Sequence, residues 1–266
     1  PKERGETIGL PRVLSFWDTM PFWTTLFRSL GFPVRLSAPS TRAMYESGLS
    51  AVTSDTVCFP AKLVHGHLRN LAQQKVDRIF LPSIAEIPSE NTVDSSRSVC
   101  AVVKGYPLVV RNSDNPQEQW GIPLDTPMFH WRTQKDRDRQ LIRYLDQTFQ
   151  IPAREARGAI QAADRAMASF HLSLRQAGQA ALNQAKEKGT FAVVLASRPY
   201  QNDFLVNHDL PEMFTSQGIP VVTVDSLPGI EGVDLSRSSV EIVNNYHARM
   251  LSTAILAAQD PRMEYE

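Results

Sequence analysis

Short apolar runs alternate with longer segments of helical spacing along the first part of the chain. The short runs carry few charges, as expected for strands that are buried on both faces. They predict strands over 8–14, 32–37 and 78–82, with a further apolar run at 108–110. The segments between them carry apolar residues three and four positions apart, which is typical of amphipathic helices. They predict helices over 22–30, 40–45 and 59–73, and a short helix after residue 100.

Turn and capping residues set the boundaries of these elements. Gly31 ends the first helix, and Ser40 is predicted to cap the second. The third helix begins around Cys58 and has Pro60 in its first turn, where proline is favoured. The polar stretch 83–98 is predicted to be a loop. Strands that alternate with helices in this way favour a parallel sheet covered on both faces.

The pattern weakens over 112–133 and then becomes strongly helical. Helices are predicted over 136–149 and 152–189, and the second of these is unusually long. The alternation then returns with uncharged strands and amphipathic helices. In this last part the predicted strands are 191–196 and 219–224, and the predicted helices are 210–217 and 239–259.

These elements predict an α/β protein with two flavodoxin-like or Rossmann-like parallel-sheet units joined by a helical segment. The predicted division places an N-terminal α/β unit at 1–111, a loop and long helical connection at 112–189, and a C-terminal α/β unit at 190–266. The chain starts without a methionine, so we expect it to be a fragment of a longer protein. In sheets of this kind, ligands bind at the carboxyl ends of the strands.

Composition narrows the classes of function. The 266 residues include 28 Lys and Arg against 28 Asp and Glu, so the charge gives no argument for nucleic acid or an anionic membrane as a partner. No apolar run approaches the roughly 18 residues of a membrane span, and no signal peptide is visible. We therefore predict a cytoplasmic protein, for which two cysteines do not indicate an oxidising compartment.

The two cysteines are the strongest candidates for chemistry. Cys58 and Cys100 each lie in the lead-in to a predicted helix, where free N–H groups and the helix dipole stabilise a thiolate. Thiolates bind metals and iron–sulfur clusters. Both follow strands of the same predicted sheet, so they can meet at one edge of it. Two unrelated buried cysteines are the alternative.

Other residues give weaker signals. His65 and His67 lie two positions apart on a helix and point in different directions, which favours capped or exposed polar roles over joint metal binding. The chain has no His-Glu-x-x-His, Cys-x-x-Cys, Gly-Lys-Ser/Thr or Gly-x-Ser-x-Gly segment, which argues against a zinc site, a P-loop ATPase and a serine hydrolase. Arg198 directly follows a strand and can clamp a carboxylate or phosphate. Asn207 can equally be a helix cap or a ligand contact.

Several segments together resemble one known family. They are 8–12, 21–23, 30–32, 54–62, 65–67, 198–200 and 225–226. They are similar to the 2-hydroxyglutaryl-CoA dehydratase-related family, in its branch of acyl-CoA dehydratase activase-related or CoA-substrate-specific enzyme activase proteins (domain of unknown function 2229). The resemblance covers nearly the whole chain and weakens between 112 and 189.

The resemblance implies a 4Fe–4S cluster held by cysteines, and Cys58 and Cys100 match two of the family's cysteine positions. The family usually has a further cysteine in a Gly-Cys-Gly segment shortly after the point where this chain stops. Because 4Fe–4S clusters take three or four cysteine ligands, the remaining ligands must come from elsewhere, for example from a homodimer. The resemblance also implies an acyl-CoA-type ligand and an ATPase activator domain as partners.

Two hypotheses follow for the function. The first is an iron–sulfur redox module related to 2-hydroxyacyl-CoA dehydratases, with one-electron chemistry on an acyl-CoA-type substrate and lyase activity in the full-length protein. The second is a non-catalytic module that binds a small anion or docks a partner, and zinc in place of the cluster is a third option. Beyond the two cysteines, the predicted substrate-binding residues are Arg12, Asp55, Thr56, Arg198, Tyr200 and Asn207.

Overall fold

The structure, a computed structural model, describes residues 3–87, 97–236, 238–242 and 244–260, and the backbone of 263–265. It forms two compact units. The first contains 3–87 and 100–167, and the second contains 97–99 and the described residues from 168 onward. The stretch 112–189, predicted as a connection, therefore contributes to both units.

The described helices include none that is both long and apolar enough to cross a membrane.

All strand pairs of the first unit are parallel, which confirms the predicted α/β class. Its strands are β1 (Ile8–Leu10), β2 (Val34–Leu36), β3 (Arg78–Phe80), β4 (Ser83–Glu86), β5 (Leu124–Asp125) and β6 (Met128–His130). The first sheet has the order β2-β1-β3-β5, and β4 pairs with β6. The N–H of Leu81 donates to the Asp125 carbonyl at 2.8 Å, and that of Ser83 donates to the Pro127 carbonyl at 2.9 Å. The hydrogen bonding of the β3–β5 pair therefore continues into the β4–β6 pair.

Helices cover this sheet. They are α1 (Phe16–Ser29), α2 (Arg42–Gly48), α3 (Phe59–Gln73), α4 (Ala101–Ser113), α5 (Pro116–Trp120) and α6 (Gln134–Phe149), followed by the 35-residue α7 (Ala153–Glu187). The prediction for α3 is confirmed residue for residue, and the predicted long helix over 152–189 is confirmed as α7. The residues of α7 up to Met167 belong to the first unit, and those from Ala168 onward belong to the second.

Several predicted boundaries of the first unit are wrong for local reasons. The first strand stops at Leu10, because the chain turns over 11–14 and Leu14 adopts a φ of 47°. Thr41 caps α2 in place of Ser40, its hydroxyl accepting from the Met44 N–H at 3.1 Å. The apolar run 108–110 belongs to α4, where only its last residue is buried.

The stretches predicted as loops also differ. Residues 83–86 form β4, and 112–133 contains α5, β5 and β6. Of the rest of the predicted loop over 83–98, residues 88–96 lie outside the described residues.

An aromatic cluster fills the core of the first unit. Trp23 of α1 is fully buried, and its ring centre lies 4.7 Å from that of Phe80 and 5.4 Å from that of Trp131. Aromatic side chains bury about 150–250 Å² each and gain further from tilted and edge-on contacts. The cluster therefore packs α1 against the sheet, and the loops lie at the sheet's carboxyl edge.

The second unit is also built on a parallel sheet. Its strands are β7 (Ala192–Leu195), β8 (Val221–Thr223) and β9 (Met263–Tyr265), in the order β8-β7-β9. Its short helices α8 (Phe204–Asn207) and α9 (Leu210–Thr215) precede β8, and α10 (Asn245–Gln259) precedes β9. The last helix begins at 245 and not at 239, because Asn244 caps it by accepting from the His247 N–H at 3.0 Å. That either unit is flavodoxin-like or Rossmann-like stays a prediction.

Candidate functional site

Both cysteines lie at helix N-termini, as the sequence predicts. Cys58 is the N-cap residue of α3 and Cys100 is that of α4, each with extended backbone angles. The two helices contact each other. Neither cysteine forms a disulfide, and Cys58 is exposed while Cys100 is partly buried. Each sulfur therefore lies at the positive end of a helix dipole, where a thiolate is favoured.

The loop before Cys58 contains two of the predicted substrate-binding residues. Both Asp55 and Thr56 are exposed. The Thr56 hydroxyl hydrogen-bonds that of Ser54 at 2.9 Å, and Lys62 donates to the Asp55 backbone carbonyl at 2.8 Å. These contacts order the turn that leads into α3 and leave the Asp55 carboxylate facing solvent.

The donors fit a cluster in type but not in number. Among the residues that the structure describes, no group of three or more His, Cys, Asp and Glu side chains is arranged to hold a metal ion. Two cysteines at the N-termini of contacting helices supply thiolates, which are the donors that iron–sulfur clusters use. Any further ligand has to come from outside these residues.

One face of α3 carries a buried polar network. His65 is fully buried, and its Nδ1 lies 2.6 Å from Oδ2 of the equally buried Asp114, while its Nε2 lies 2.9 Å from the Tyr106 hydroxyl. Arg69 donates to Asp114 Oδ2 at 2.9 Å, and Gln119 donates to Oδ1. Burial opposes ionisation of Asp114, but the hydrogen bonds from His65, Arg69 and Gln119 outweigh it and hold its pKa below the usual value.

Tyr106 lies between this network and the first cysteine. Burial, together with the charges of Cys58 and Asp114, raises the pKa of Tyr106 to about 12. The phenol therefore stays protonated at neutral pH and donates to His65. Because Asp114 accepts from His65 Nδ1, the Nε2 atom of the neutral ring is the acceptor for that phenol.

The other face of α3 carries His67, which lies beside Arg12. His67 is fully buried, with Nδ1 2.7 Å from the Ser37 hydroxyl and Nε2 3.0 Å from the Ser40 hydroxyl. The Arg12 backbone N–H donates to Ser37 at 2.8 Å. Burial and the positive charge of Arg12 lower the pKa of His67 to about 4, so this ring is neutral at pH 7. The expectation of capped or exposed roles for both histidines is wrong, because tertiary contacts bury each ring completely.

Sequence reasoning missed Arg69, Tyr106 and Asp114. Asp114 lies in a polar stretch that ends α4, and its partner His65 is 49 positions away. Nothing local marks such a pair. The spacing of His65 and Arg69 by one helical turn is the only signal in the sequence, because it places both side chains on one face of α3.

The predicted residues of the second unit lie at the carboxyl edge of its own sheet. Arg198 donates to the Tyr200 hydroxyl at 3.0 Å and lies 3.4 Å from Nε2 of His247. Burial and the charge of Arg198 lower the pKa of His247. Asn207 ends α8 and accepts from the Asp209 N–H at 3.0 Å, which is a turn-forming contact.

Two surface cavities are found away from this chemistry. One of about 460 Å³ is lined by residues around β5, among them Asp125 and Tyr144, and one of about 530 Å³ lies along α6 with Arg157. Neither is lined by a predicted site residue. The placement of thiols and charges is therefore the better guide to a site here, because cavity volume alone carries no chemistry.

Fold and site define an α/β protein with parallel sheets, whose candidate chemistry lies at the carboxyl edges of the strands. The chain belongs to the family described as CoA enzyme activase uncharacterised domain (DUF2229), which it matches over residues 7–227. This confirms the activase-related family that the sequence resembles. The matched range includes Arg12, both cysteines and Arg198. No curated protein and no solved structure matches the chain.

Proposed function

We propose that the chain is an iron–sulfur redox module in which Cys58 and Cys100 are two of the cluster ligands. The observation that carries this proposal is the position of both cysteines at the N-caps of the contacting helices α3 and α4. Two dipoles then favour the thiolate form and a negatively charged group beside it. The cofactor is a 4Fe–4S cluster, as in the dehydratases that the sequence resembles.

Each part of the chain has a role in this proposal. A bound cluster would supply one-electron transfer. Cys58 and Cys100 would hold it, with further ligands from outside the described residues, and Asp55 and Thr56 would shape the loop that presents the Cys58 sulfur. The family's description favours a CoA-dependent enzyme as the partner and an acyl-CoA-type compound as the substrate.

In the second unit, three residues would be contacts for a substrate. Arg198 would contact a negatively charged group, because its guanidinium fork matches carboxylates and phosphates. Tyr200 and Asn207 lie in the same stretch after β7 and would be the neighbouring polar contacts. A structure of a substrate complex would test these three roles.

The test is the iron and acid-labile sulfide content of the anaerobically purified chain and of its Cys58→Ser and Cys100→Ser variants. Serine is a good N-cap residue, so both variants should keep α3 and α4 intact. We expect iron and sulfide in the parent protein and a loss of most of both in each variant. Thr53→Val is the matched control, because it removes an exposed hydroxyl from the same loop and leaves both thiols in place.

Two results would contradict the proposal. One is a parent chain without iron when it is prepared and reconstituted without oxygen. The other is a cysteine variant that retains the parent's iron content. Either result would favour the non-catalytic module, in which the cysteines only cap their helices.

A further inference from the structure

We propose that the loop after β1, at the carboxyl edge of the sheet, binds the oxyanion group of a small molecule, a phosphate or a carboxylate, through the guanidinium of Arg12. This site is separate from the cysteines and does not depend on a cluster. Four observations support it. The charge of Arg12 has no counter-charge among the described residues, its neighbour His67 is neutral, two backbone N–H groups nearby make no hydrogen bond there, and the sheet topology favours binding at this edge.

Arg12 has no counter-charge within the described part of the chain. It is partly buried, and its Nε atom is fully buried without a hydrogen-bond partner. The other partly buried arginines of this unit each pair with a carboxylate: Arg4 with Glu155, Arg69 with Asp114, Arg78 with Glu6 and Asp125, and Arg137 with Asp138 and Asp164. A partly desolvated charge without a partner is costly, and a bound anion would remove that cost.

The side chains around Arg12 do not neutralise it. His67 of α3 is the titratable side chain beside Arg12, and its ring is neutral at pH 7. Ser37 is fully buried, accepts from the Arg12 N–H and hydrogen-bonds His67 Nδ1. A neutral imidazole presents no negative charge to Arg12.

Backbone donors lie directly after Arg12. Leu14 adopts a φ of 47°, and Ser15 follows it with a φ of −63° at the N-cap of α1. The N–H groups of Leu14 and Ser15 make no hydrogen bond within the residues that the structure describes, although both residues are buried. Successive N–H groups in a left-handed and then right-handed conformation form a concave nest that favours an anion.

The sheet places this loop where ligands bind. In the strand order of this sheet, β2 is the neighbour of β1 on one side and β3 is its neighbour on the other side. In open parallel sheets the crevice at such a switch point, outside the carboxyl ends of the strands, is the usual binding position. The loop that follows β1 lines that crevice. A guanidinium beside backbone N–H groups is a donor set suited to the planar or tetrahedral oxygens of a carboxylate or phosphate.

The experiment is an NMR titration of the ¹⁵N-labelled full chain, in which the Arg12 Nε–H resonance is followed. Inorganic phosphate and acetate are the two probes, and sodium chloride at matched ionic strength is the blank. The resonance is assigned by its loss in Arg12→Lys, which keeps the charge and the fold without that N–H. We expect a saturable shift with one probe, which identifies the oxyanion as a phosphate or a carboxylate, and none with chloride.

Variants test whether Arg12 itself is responsible. Binding to the variants is followed on the backbone amide resonances of Leu14 and Ser15, which every variant retains. Arg12→Gln should weaken binding of the effective probe at least about tenfold, as expected for loss of a charge-assisted pair. Arg35→Gln is the matched control, because Arg35 lies exposed on the neighbouring strand β2, and it should leave binding unchanged. A parent chain without a saturable shift for either anion would overturn the site, as would equal effects of the two substitutions. Because iron is not involved, this test can fail while the cluster proposal holds, and the reverse.

Discussion

His65 and His67 lie two positions apart on α3, and both are fully buried, yet their surroundings are opposite. His65 contacts a carboxylate that is itself paired with an arginine. His67 contacts two hydroxyl groups and lies beside the positive charge of Arg12. The residue between them, Gly66, faces α2 so closely that a Cβ atom there would meet the Met44 carbonyl. Three successive residues therefore face three different elements.

Both rings are fully buried, so the difference between the two histidines comes from the charged groups that the fold places beside each of them. His65 joins α3 to α4 and α5 through Tyr106, Asp114 and Gln119, so it holds together the two helices that begin at the cysteines. His67 joins α3 to the loops after β1 and β2. In the network around His65, the charges of Asp114 and Arg69 balance each other. Beside His67, Arg12 has no counter-charge among the described residues and can pair with an external anion.

The largest effect is expected from Asp114→Asn, which removes the one carboxylate that pairs with Arg69 among the residues that the structure describes. Removing one partner of a buried ion pair leaves the other uncompensated and costs about 3 kcal/mol or more. We expect the free energy of unfolding, measured with urea at pH 7.5, to fall by about that amount. Since the pKa of Asp114 is held below its usual value, its contribution is complete above that value and is lost only as the pH falls through the folded-state pKa.

The matched control for this substitution is Asp55→Asn. Its carboxylate is exposed and should affect stability by less than about 0.5 kcal/mol. Equal stabilities of the two variants would mean that the network around His65 contributes nothing measurable.

The next largest effect is a loss of stability in mild acid caused by His67. Its pKa is about 4 in the folded chain and 6.5 when exposed, so the unfolded chain binds the proton more strongly. This contribution is therefore fully present above pH 6.5, falls as the pH drops, and is lost below pH 4. The gap between the two values corresponds to about 3 kcal/mol. Urea unfolding at a series of pH values between 7.5 and 4 measures it.

His67→Gln isolates this term from the other titrating groups. Glutamine keeps polar atoms near Ser37 and Ser40 but has no proton to bind. We expect the difference in unfolding free energy between the parent and this variant to shrink as the pH falls from 6.5 to 4. A difference that stays constant over this range would show that His67 is not the titrating group.

The sequence supports prediction of the elements far better than of these two environments. Periodicity predicts α3 with correct ends and places each cysteine at a helix start, because capping and amphipathic spacing are local signals. It fails at 108–110, where an apolar run that resembles a strand continues α4. Short apolar runs do not distinguish strand from helix unless their neighbours decide it.

The site is only partly predictable for the same reason. Arg12 could be singled out because it follows a strand, and in the fold it lies at the sheet's carboxyl edge. The partners of the two histidines could not, since Ser37 and Asp114 are 30 and 49 positions away from them. Only the packed topology brings such distant polar groups together, and burial then makes each pairing consequential.

The smallest effect sharpens the description of the His65 side. Tyr106→Phe removes the hydroxyl that donates to His65 Nε2 and leaves a buried acceptor without a partner. Such a loss costs about 1 kcal/mol, less than the loss of the Asp114 charge, because the ring itself still packs. Tyr45→Phe is the matched control, since Tyr45 packs its ring on Phe59 and its hydroxyl has no hydrogen bond within the described residues. Urea unfolding of both variants at pH 7.5 measures the difference. Equal stabilities would contradict the hydrogen bond between Tyr106 and His65.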